Sequence, residues 1–360
     1  MKKTLCSALL LLALAPCAFA AAPKLTDYEH HFYTPESLAY MAKLDPAGYP
    51  YYDMAKKELH VAKGISFNLG STPSGYDIVE IGPERIKAMK KAGIDVAYLS
   101  HATNYEELSD RPGAVELAKS INNTVAKAVK KYPEYFRGTI TLPVGNIEAS
   151  LQEMDRCVNE LGFRIWHTHS NYMGLGHLDD EKYRPLLKRA AELGIPVYVH
   201  PHVPGYDRIA EMGGAMAGAG FGYGVDVMTT VFRLIVKGVF DDIPNLRIII
   251  GHMGEYFPYY IERIDNRFSY PTGGVSNNKH VPSYYFKNGQ ISFTTSGTTQ
   301  LSTFKCAKES IGIDNILYGS DYPYEAPEDS VNYVKNLPLT EEERAKLYEG
   351  NGARLTGAAK

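Results

Sequence analysis

Histidines and carboxylates recur in this chain directly after short apolar runs. Glu29 and His31 end the first such run. His200 ends the run Val-Tyr-Val, and Asp321 follows Tyr-Gly-Ser. Further residues of the same kind are His167, His169, His202, His252 and Glu255. Imidazole nitrogens and carboxylate oxygens together are the donor set that a borderline divalent cation such as Zn2+ selects. The pattern therefore predicts a metal centre, provided that the ends of these runs meet in the fold.

The alternation of side chains along a strand predicts which residues near Glu29 share a face. Residues two apart on a strand face the same side, so Glu29 and His31 should point together while His30 points to the opposite side. The same argument pairs His167 with His169. A single histidine at a strand end is more often a satisfied polar residue than a ligand. The recurrence at five strand ends is what indicates a site, and for His167 a supporting role is as open as a direct one.

Strand and helix patterns alternate along the chain from residue 83 onward. Helical patterns cover residues 83–93, 114–132, 147–161, 179–194, 229–240 and 303–312. Strand patterns cover residues 25–31, 94–100, 136–143, 163–170, 195–202, 246–251, 291–296 and 316–320. Eight strands with helices between them match an α/β fold of the TIM type, and no Gly-rich phosphate motif of a doubly wound fold follows any strand. We therefore predict a (β/α)8 TIM barrel of the metal-dependent hydrolase type, in which catalytic residues lie at the carboxyl ends of the strands.

Two segments are longer than an ordinary loop between a strand and a helix. They are residues 34–82 after the first predicted strand and residues 203–226 after the fifth. The second contains the Gly-rich stretch 213–224, which is typical of a mobile lid or rim over a site.

The first twenty residues have the pattern of a secretory signal peptide. Two lysines precede an apolar run that is long enough for a signal but short for a membrane span. Ala18 and Ala20 place small residues at the two positions that a signal peptidase reads, so we expect cleavage between Ala20 and Ala21. Residues 1–20 would then be the signal peptide, and residues 21–360 a single barrel domain in the periplasm without a stable membrane anchor.

Cysteine content and net charge bear on two questions, whether the chain forms a disulfide bond and which kind of partner it binds. Beyond the signal, Cys157 and Cys306 lie on two predicted helices far apart in sequence, where two free thiols fit better than one bridge. A formal net charge of −3 gives no basic footprint for nucleic acid. The expected partner is therefore a small molecule.

Four segments resemble the amidohydrolase-related group that includes aminocarboxymuconate semialdehyde decarboxylase, γ-resorcylate decarboxylase and 5-carboxyvanillate decarboxylase. The segments are residues 29–36, 194–201, 250–255 with Arg263 one helix further on, and 318–323. The resemblance covers nearly the whole chain after the signal peptide. It implies a metal bound by Glu29, His31, His200 and Asp321.

The resemblance also implies roles for the residues around the metal. His252 would polarise the substrate, Glu255 would orient His252, and Arg263 would lie close to the site. We group Arg263 with His167 and His169 as substrate-binding residues. The motif Glu-x-His, where many relatives have His-x-His, is similar to the resorcylate-type enzymes and favours a decarboxylase.

The chemistry of these residue types agrees with such roles. An open coordination position lets a cation bind substrate oxygens or activate a water. Asp321 at the edge of the site could transfer a proton, and His252, held by Glu255, could stabilise developing negative charge. Asp321, His252 and Glu255 are therefore the predicted catalytic residues.

Three functions fit this set. The first is non-oxidative decarboxylation of a hydroxylated aromatic or muconate-like acid. The second is hydrolysis of a lactone, ester or amide by an activated water. The third is metal or ligand binding in the periplasm without catalysis, which Asp321 and His252 argue against because binding alone needs no acid-base residue. We expect one divalent ion, zinc ahead of manganese, a carboxylic acid as substrate and, from the resemblance, a homodimer or homotetramer.

Overall fold

The computed structural model describes residues 22–102, 105–268, 270 and 276–357. The predicted signal peptide and its cleavage site lie outside the described residues. The strands are β1 (Thr26–Phe32), β2 (Tyr51–Asp53), β3 (Glu58–Ala62), β4 (Ile65–Asn68), β5 (Val96–His101), β6 (Phe136–Gly138), β7 (Trp166–His169), β8 (Val197–His200), β9 (Ile248–Ile250), β10 (Ile291–Thr294) and β11 (Ile316–Leu317).

Eight of these strands form a parallel barrel. β1, β5 and β6 make one sheet, and β7 to β11 make a second. Ile140, just beyond β6, bridges Trp166 of β7, and His30 of β1 bridges Tyr322 beyond β11. The backbone N–H of His31 also donates to the carbonyl of Tyr322 at 2.7 Å. The two seams join the sheets into a closed ring, and the predicted (β/α)8 barrel is confirmed.

The helices follow the strands around the outside of the barrel. They are α1 (Pro35–Met41), α2 (Pro83–Ala92), α3 (Ala114–Lys131), α4 (Ile147–Asn159), α5 (Arg184–Glu192), α6 (Asp207–Ala210), α7 (Gly214–Ala217), α8 (Gly222–Val236), α9 (Val239–Asp242), α10 (Phe257–Phe268), α11 (Ser283–Lys287), α12 (Leu301–Ile311), α13 (Pro327–Lys335), α14 (Glu341–Ala345) and α15 (Asn351–Thr356). None of these helices is long and apolar enough to cross a membrane.

Helix α3 shows why these segments form and where they pack. Its buried residues recur at the spacing of one helix face and join the main core between the helices and the barrel wall. They include Leu117, Ile121, Val125 and Ala128. Helix α2 ends at Gly93, whose φ of 94° is in the left-handed region and whose N–H donates to the carbonyl of Met89 at 2.8 Å.

Two predicted helices differ from the observed ones. The segment 179–194 is regular only from Arg184, because Pro185 suits the first turn of a helix but not its interior. The segment 229–240 is two helices, since Gly238 with a φ of 73° separates α8 from α9. Helix α8 also begins earlier than predicted, at Gly222. The two cysteines in the described part of the chain are free thiols, with Cys157 buried and Cys306 half-buried.

The long segment after β1 is not a simple loop. It contains α1 and a separate antiparallel sheet in the order β2, β3, β4. Leu59 and Val61 of β3 are buried in a second core, which also contains Ile65 and residues of the segment after β8. This small sheet lies on the barrel mouth, and the chain after β4 forms part of the wall of the site described below.

Replacing Gly138 by alanine tests the packing at the end of β6. A Cβ at this position would lie 2.2 Å from the ring of Phe163, which is buried. Overpacking costs about 1–3 kcal/mol, so Gly138→Ala should lower the midpoint of thermal unfolding by several degrees, measured by circular dichroism. Gly174→Ala is the matched control, because a Cβ there meets no atom within 4 Å. An equal loss in both variants would contradict the packing argument.

Candidate metal centre and active site

Four side chains from three barrel strands meet at one end of the barrel. β1 supplies Glu29 and His31, β8 ends on His200, and Asp321 follows β11. One donor atom from each of the four lies within 4.8 Å of all the others. Glu29 and His31 are fully buried, and the Asp321 side chain is 13% exposed. The structure therefore brings together all four residues that the sequence predicted as ligands.

The unpaired atoms in this cluster fit a divalent cation. Oε1 of Glu29 and Nε2 of His31 are buried without a hydrogen-bond partner, which is rare and needs an explanation such as an ion. Nε2 of His31 lies 3.3 Å from Oδ1 of Asp321 and 3.7 Å from Oε1 of Glu29. Nε2 of His200 lies 3.8 Å from the same Glu29 oxygen. Two imidazoles and two carboxylates are donors that zinc and manganese both accept.

The two histidines are held with their Nε2 atoms toward the centre. Nδ1 of His31 lies 3.1 Å from the hydroxyl of Ser100, and Nδ1 of His200 lies 2.9 Å from the carbonyl of Pro201. Partners of this kind fix the ring orientation and the tautomer of a ligating histidine.

Glu29 is fixed through its other oxygen. Oε2 accepts hydrogen bonds from the hydroxyls of Tyr198 and Thr294, the second at 2.9 Å. Oε1 is left to face the two histidines. A carboxylate held in this way is oriented as a ligand before any ion binds.

Asp27 ties the first ligand strand to the last. Its Oδ1 accepts from the backbone N–H groups of Glu29 and Ser320, both at 3.0 Å. Its Oδ2 lies 2.8 Å from Nδ1 of His30 and accepts from the hydroxyl of Ser320. The ring of His30 stacks on Tyr322 at 4.2 Å, so His30 faces away from the cluster, as strand alternation predicted.

Arg85 stabilises the same seam, between β1 and the turn after β11. Its guanidinium is buried, donates to the carbonyls of His31 at 2.7 Å and Ile78 at 3.1 Å, and lies 4.8 Å from the centre of the Tyr322 ring. Burial lowers the pKa of Arg85. The Arg85 guanidinium thus holds both the backbone of His31 and the ring of Tyr322, and no pattern in the sequence predicted this role.

The backbone is strained beside the cavity. His252, Glu255 and Asp321 have φ values of 51°, 55° and 59°, in the left-handed region that residues other than glycine rarely adopt. Such conformations cost about 1–3 kcal/mol each and cluster at functional sites. They set the direction in which these three side chains leave the chain.

His252 and Glu255 form a pair next to the ligands. Nδ1 of His252 lies 2.7 Å from Oε1 of Glu255, and its Nε2 lies 3.8 Å from Oδ2 of Asp321. Burial lowers the pKa of His252, but the carboxylates of Glu255 and Asp321 outweigh it and hold the pKa well above its usual value. The pair therefore presents a positively charged donor at the edge of the cluster.

Of the three residues assigned to substrate binding, two lie close to the cluster. His167 has its ring centre 5.7 Å from that of His31, and His169 lies 5.4 Å from His200. Both rings are buried, and Nε2 of each has no hydrogen-bond partner. Arg263 is different, because it lies on an exposed face of α10 and does not line the cavity. The structure therefore does not bring Arg263 to the site.

The sequence analysis missed two carboxylates that hold the neighbouring histidines. Glu106 lies 2.6 Å from Nδ1 of His169, and Glu107 lies 2.6 Å from Nε2 of His202. Burial raises the pKa of Glu106 to about 8. Both residues follow the end of β5, and that position was the signal that could have identified them.

A cavity of about 390 Å³ opens beside the cluster. One end is formed by His200, His252 and Asp321. The segment predicted as a lid contributes Ala219 and Tyr223. The remaining lining residues, which the sequence analysis did not identify, are Ser66, Phe67, Asn68, Leu69, Ser71, Thr72, Pro73, Ala102, Tyr324 and Glu325.

Comparison with known proteins identifies a family and relatives that include decarboxylases. Residues 26–357 match the sequence profile of the amidohydrolase family. A γ-resorcylate decarboxylase from Polaromonas is 31% identical over 77% of this chain and 88% of its own length. The decarboxylase orsB from Emericella nidulans is 33% identical over 76% of this chain and 85% of its own length. A crystal structure of a dihydroxybenzoic acid decarboxylase from Polaromonas, with bound manganese and the inhibitor 2-nitroresorcinol, superposes with a TM-score of 0.79 at 28% identity, covering 94% of this chain and 98% of that one.

Replacing either histidine of the cluster by alanine should release the metal. His31 and His200 each supply one of four donors, and the loss of one leaves the ion with three. We expect about a tenfold or greater loss of bound metal, measured by elemental analysis of the purified variants. His280→Ala, which removes an exposed histidine, is the control. Full occupancy in both cluster variants would show that these residues are not ligands.

Proposed function

Since this chain belongs to the amidohydrolase family, we propose that its barrel mouth is the active site of a metal-dependent carboxy-lyase that removes CO2 from a hydroxylated aromatic acid without oxidation. One observation carries the proposal. The donor atoms of Glu29, His31, His200 and Asp321 converge beside a cavity of about 390 Å³, in a chain that is similar to two decarboxylases over three quarters of its length.

One divalent metal ion is the cofactor. The sequence analysis put zinc ahead of manganese, but we propose manganese as the resident ion. The manganese in the Polaromonas relative supports this choice, as do two carboxylates among four donors, because oxygen ligands suit manganese well. When bound, the ion supplies positive charge that attracts the carboxylate and a neighbouring hydroxyl oxygen of the substrate.

Asp321 is proposed as the proton donor. It lies at the boundary between the cluster and the cavity. In its protonated form it gives its proton to the ring carbon that bears the carboxylate. The bond from that carbon to the carboxylate then breaks, its electron pair returns to the ring, and CO2 leaves. A proton from water restores Asp321, so that one proton is consumed for each CO2 released.

His252 and Glu255 are proposed to stabilise charge on the substrate during this step. Nε2 of His252 lies 3.8 Å from Oδ2 of Asp321 and can donate to a substrate oxygen that binds beside the two residues. Glu255 accepts from Nδ1 of the same ring at 2.7 Å and favours the imidazolium form, in which Nε2 also carries a proton. His167 and His169 are proposed to contact the substrate through their unpaired Nε2 atoms.

Hydrolysis of a lactone, ester or amide is the second function that this centre could perform. It requires an activated water as the nucleophile. Glu29 adds an anionic donor that lowers the Lewis acidity of a bound cation, which suits the site less well to making hydroxide. The two relatives compared above are decarboxylases, which favours the first function.

Exchange of ring hydrogen in D2O tests the proposed proton transfer. The reverse of the protonation step removes a proton from the ring of the product, so the metal-loaded enzyme should exchange ring hydrogen of resorcinol, followed by NMR. Asp321→Asn should reduce exchange and CO2 release about 100-fold or more, with metal content measured alongside because the residue is also a proposed ligand. Absence of exchange and of CO2 release with every phenolic acid tried, together with rapid hydrolysis of lactones or esters, would favour the hydrolase.

Export to the periplasm is a further proposal, supported by the sequence of residues 1–20 alone. Protein recovered from a periplasmic extract should have an intact mass that corresponds to a chain beginning at Ala21. Replacing Ala20 by a bulky residue should block this cleavage, because the peptidase reads small side chains there. A mass that includes Met1 in the wild-type protein would contradict export by this route. The homodimer or homotetramer expected from the resemblance also stays a prediction.

A further inference from the structure

The end of strand β10 supplies none of the four proposed metal ligands, yet it contacts two residues of the proposed active site. Thr294 is the last residue of β10, and Ser296 and Gly297 follow it. The side chains of Thr294 and Ser296 are fully buried. Burying a hydroxyl is costly unless it is hydrogen-bonded, so the partners of these two hydroxyls indicate what they do.

Ser296 holds the backbone of His252. Its Oγ accepts from the backbone N–H of His252 at 2.9 Å. That backbone has a φ of 51°, in the left-handed region, and such a conformation persists only where the surrounding contacts hold it. Gly297 leaves room for the imidazole, because a Cβ at this position would lie 2.9 Å from Cδ2 of His252. Ser296 and Gly297 together thus determine where the ring of His252 lies.

Thr294 connects Ser296 to Glu29. Its Oγ1 donates to Oε2 of Glu29 at 2.9 Å and lies 2.9 Å from Oγ of Ser296. A carboxylate that binds a metal is ionised and only accepts, so the hydroxyl proton of Thr294 points to Glu29. The Ser296 hydroxyl then donates to Thr294 and accepts from His252. The bonds form a directed chain from the backbone N–H of His252 through two hydroxyls to the carboxylate.

We propose that Thr294 and Ser296 are positioning residues, which join the metal ligand Glu29 to His252 so that the position of each depends on the other. Residues in one hydrogen-bond network couple energetically, and in a directed chain each bond polarises the next. The inference rests on the proposed function, in which Glu29 binds the metal and His252 donates to the substrate. It assigns a role in the site to β10, which contributes no ligand.

Ser296→Ala tests the contact with His252. The variant removes the acceptor of the His252 N–H but leaves Glu29 with both of its hydroxyl donors, Thr294 and Tyr198. We expect kcat for CO2 release to fall about tenfold, because His252 is no longer held in place. KM should change little, since the contact of His252 with the substrate is proposed to strengthen in the transition state.

Thr294→Val tests the contact with Glu29. It removes the hydroxyl and nearly keeps the shape of the side chain, so the dissociation constant for Mn2+ should rise about tenfold. Electron paramagnetic resonance of free Mn2+ in titrations of the metal-free protein measures this constant without any substrate. Thr294→Ser retains the hydroxyl and should bind manganese nearly as tightly as the wild type.

The double variant tests whether the two hydroxyls act through one chain. Ser296→Ala alone should weaken manganese binding about twofold to threefold, because Thr294 loses the donor behind it. Once the Thr294 hydroxyl is absent, Ser296 has no route to Glu29 along this chain. The double variant should therefore bind manganese no more weakly than Thr294→Val alone, whereas independent residues would give the product of the two single losses.

Ser292→Ala is the matched control. Ser292 lies on β10 two residues before Thr294, so its side chain points to the same side of the strand. It is fully buried, and its hydroxyl has no hydrogen-bond partner among the described residues. Its variant should equal the wild type in kcat, KM and manganese affinity. A purely structural role of Thr294 and Ser296 would instead lower the midpoint of thermal unfolding and leave these three quantities unchanged.

The two measurements separate failure of the inference from failure of the proposed function. An unchanged kcat in Ser296→Ala, an unchanged manganese affinity in Thr294→Val, or independent losses in the double variant would overturn the inference, and CO2 release by the wild type would still support the proposed function. If the wild type releases no CO2 but hydrolyses lactones or esters, the proposed function is overturned. The kcat of that hydrolysis is then compared in the same variants, with the same losses expected.

Discussion

The geometry of the site depends on the buried carboxylate of Asp27. Taking a carboxylate out of water is costly unless its oxygens are hydrogen-bonded, and Asp27 accepts four such bonds from β1 and from Ser320. Those bonds join the strand that carries Glu29 and His31 to the turn that carries Asp321. Ligands that lie almost three hundred residues apart in the chain thereby share one centre. Without this satisfied carboxylate, the barrel could close in a register that separates them.

Other ionisable groups near the seam between β1 and β11 are also compensated by their neighbours. The cluster places two carboxylates beside two histidines, and a divalent cation would neutralise them. Arg85 holds its buried charge against backbone carbonyls and the Tyr322 ring, on the side away from the cavity. The pair of His252 and Glu255 balances itself at the cavity edge. The barrel mouth thus concentrates ionisable groups that are each compensated locally.

The barrel and its cluster could be predicted from the sequence because both follow from periodic patterns. Alternation within β1 placed Glu29 with His31 and turned His30 away, and the structure agrees. The small sheet of β2 to β4 could not be predicted, because its strands have three to five residues and only four of their twelve side chains are buried. The exposure of Arg263 could not be predicted either, since a motif fixes a position in the chain but not which face of α10 it occupies.

The division of the cavity between two parts of the chain has a consequence for how such enzymes diversify. The metal ligands belong to the barrel, where Glu29 and Asp27 are buried and hydrogen-bonded across strands, so that substitutions there also affect the fold. Much of the remaining cavity lining comes from residues 66–73, in a segment inserted between β1 and α2 that packs into its own small core. Substitutions in that segment alter which acid fits without moving a ligand. Reaction and preference can therefore change independently, so that one ancestral chemistry can be adapted to new ring acids by exchanging a single surface segment.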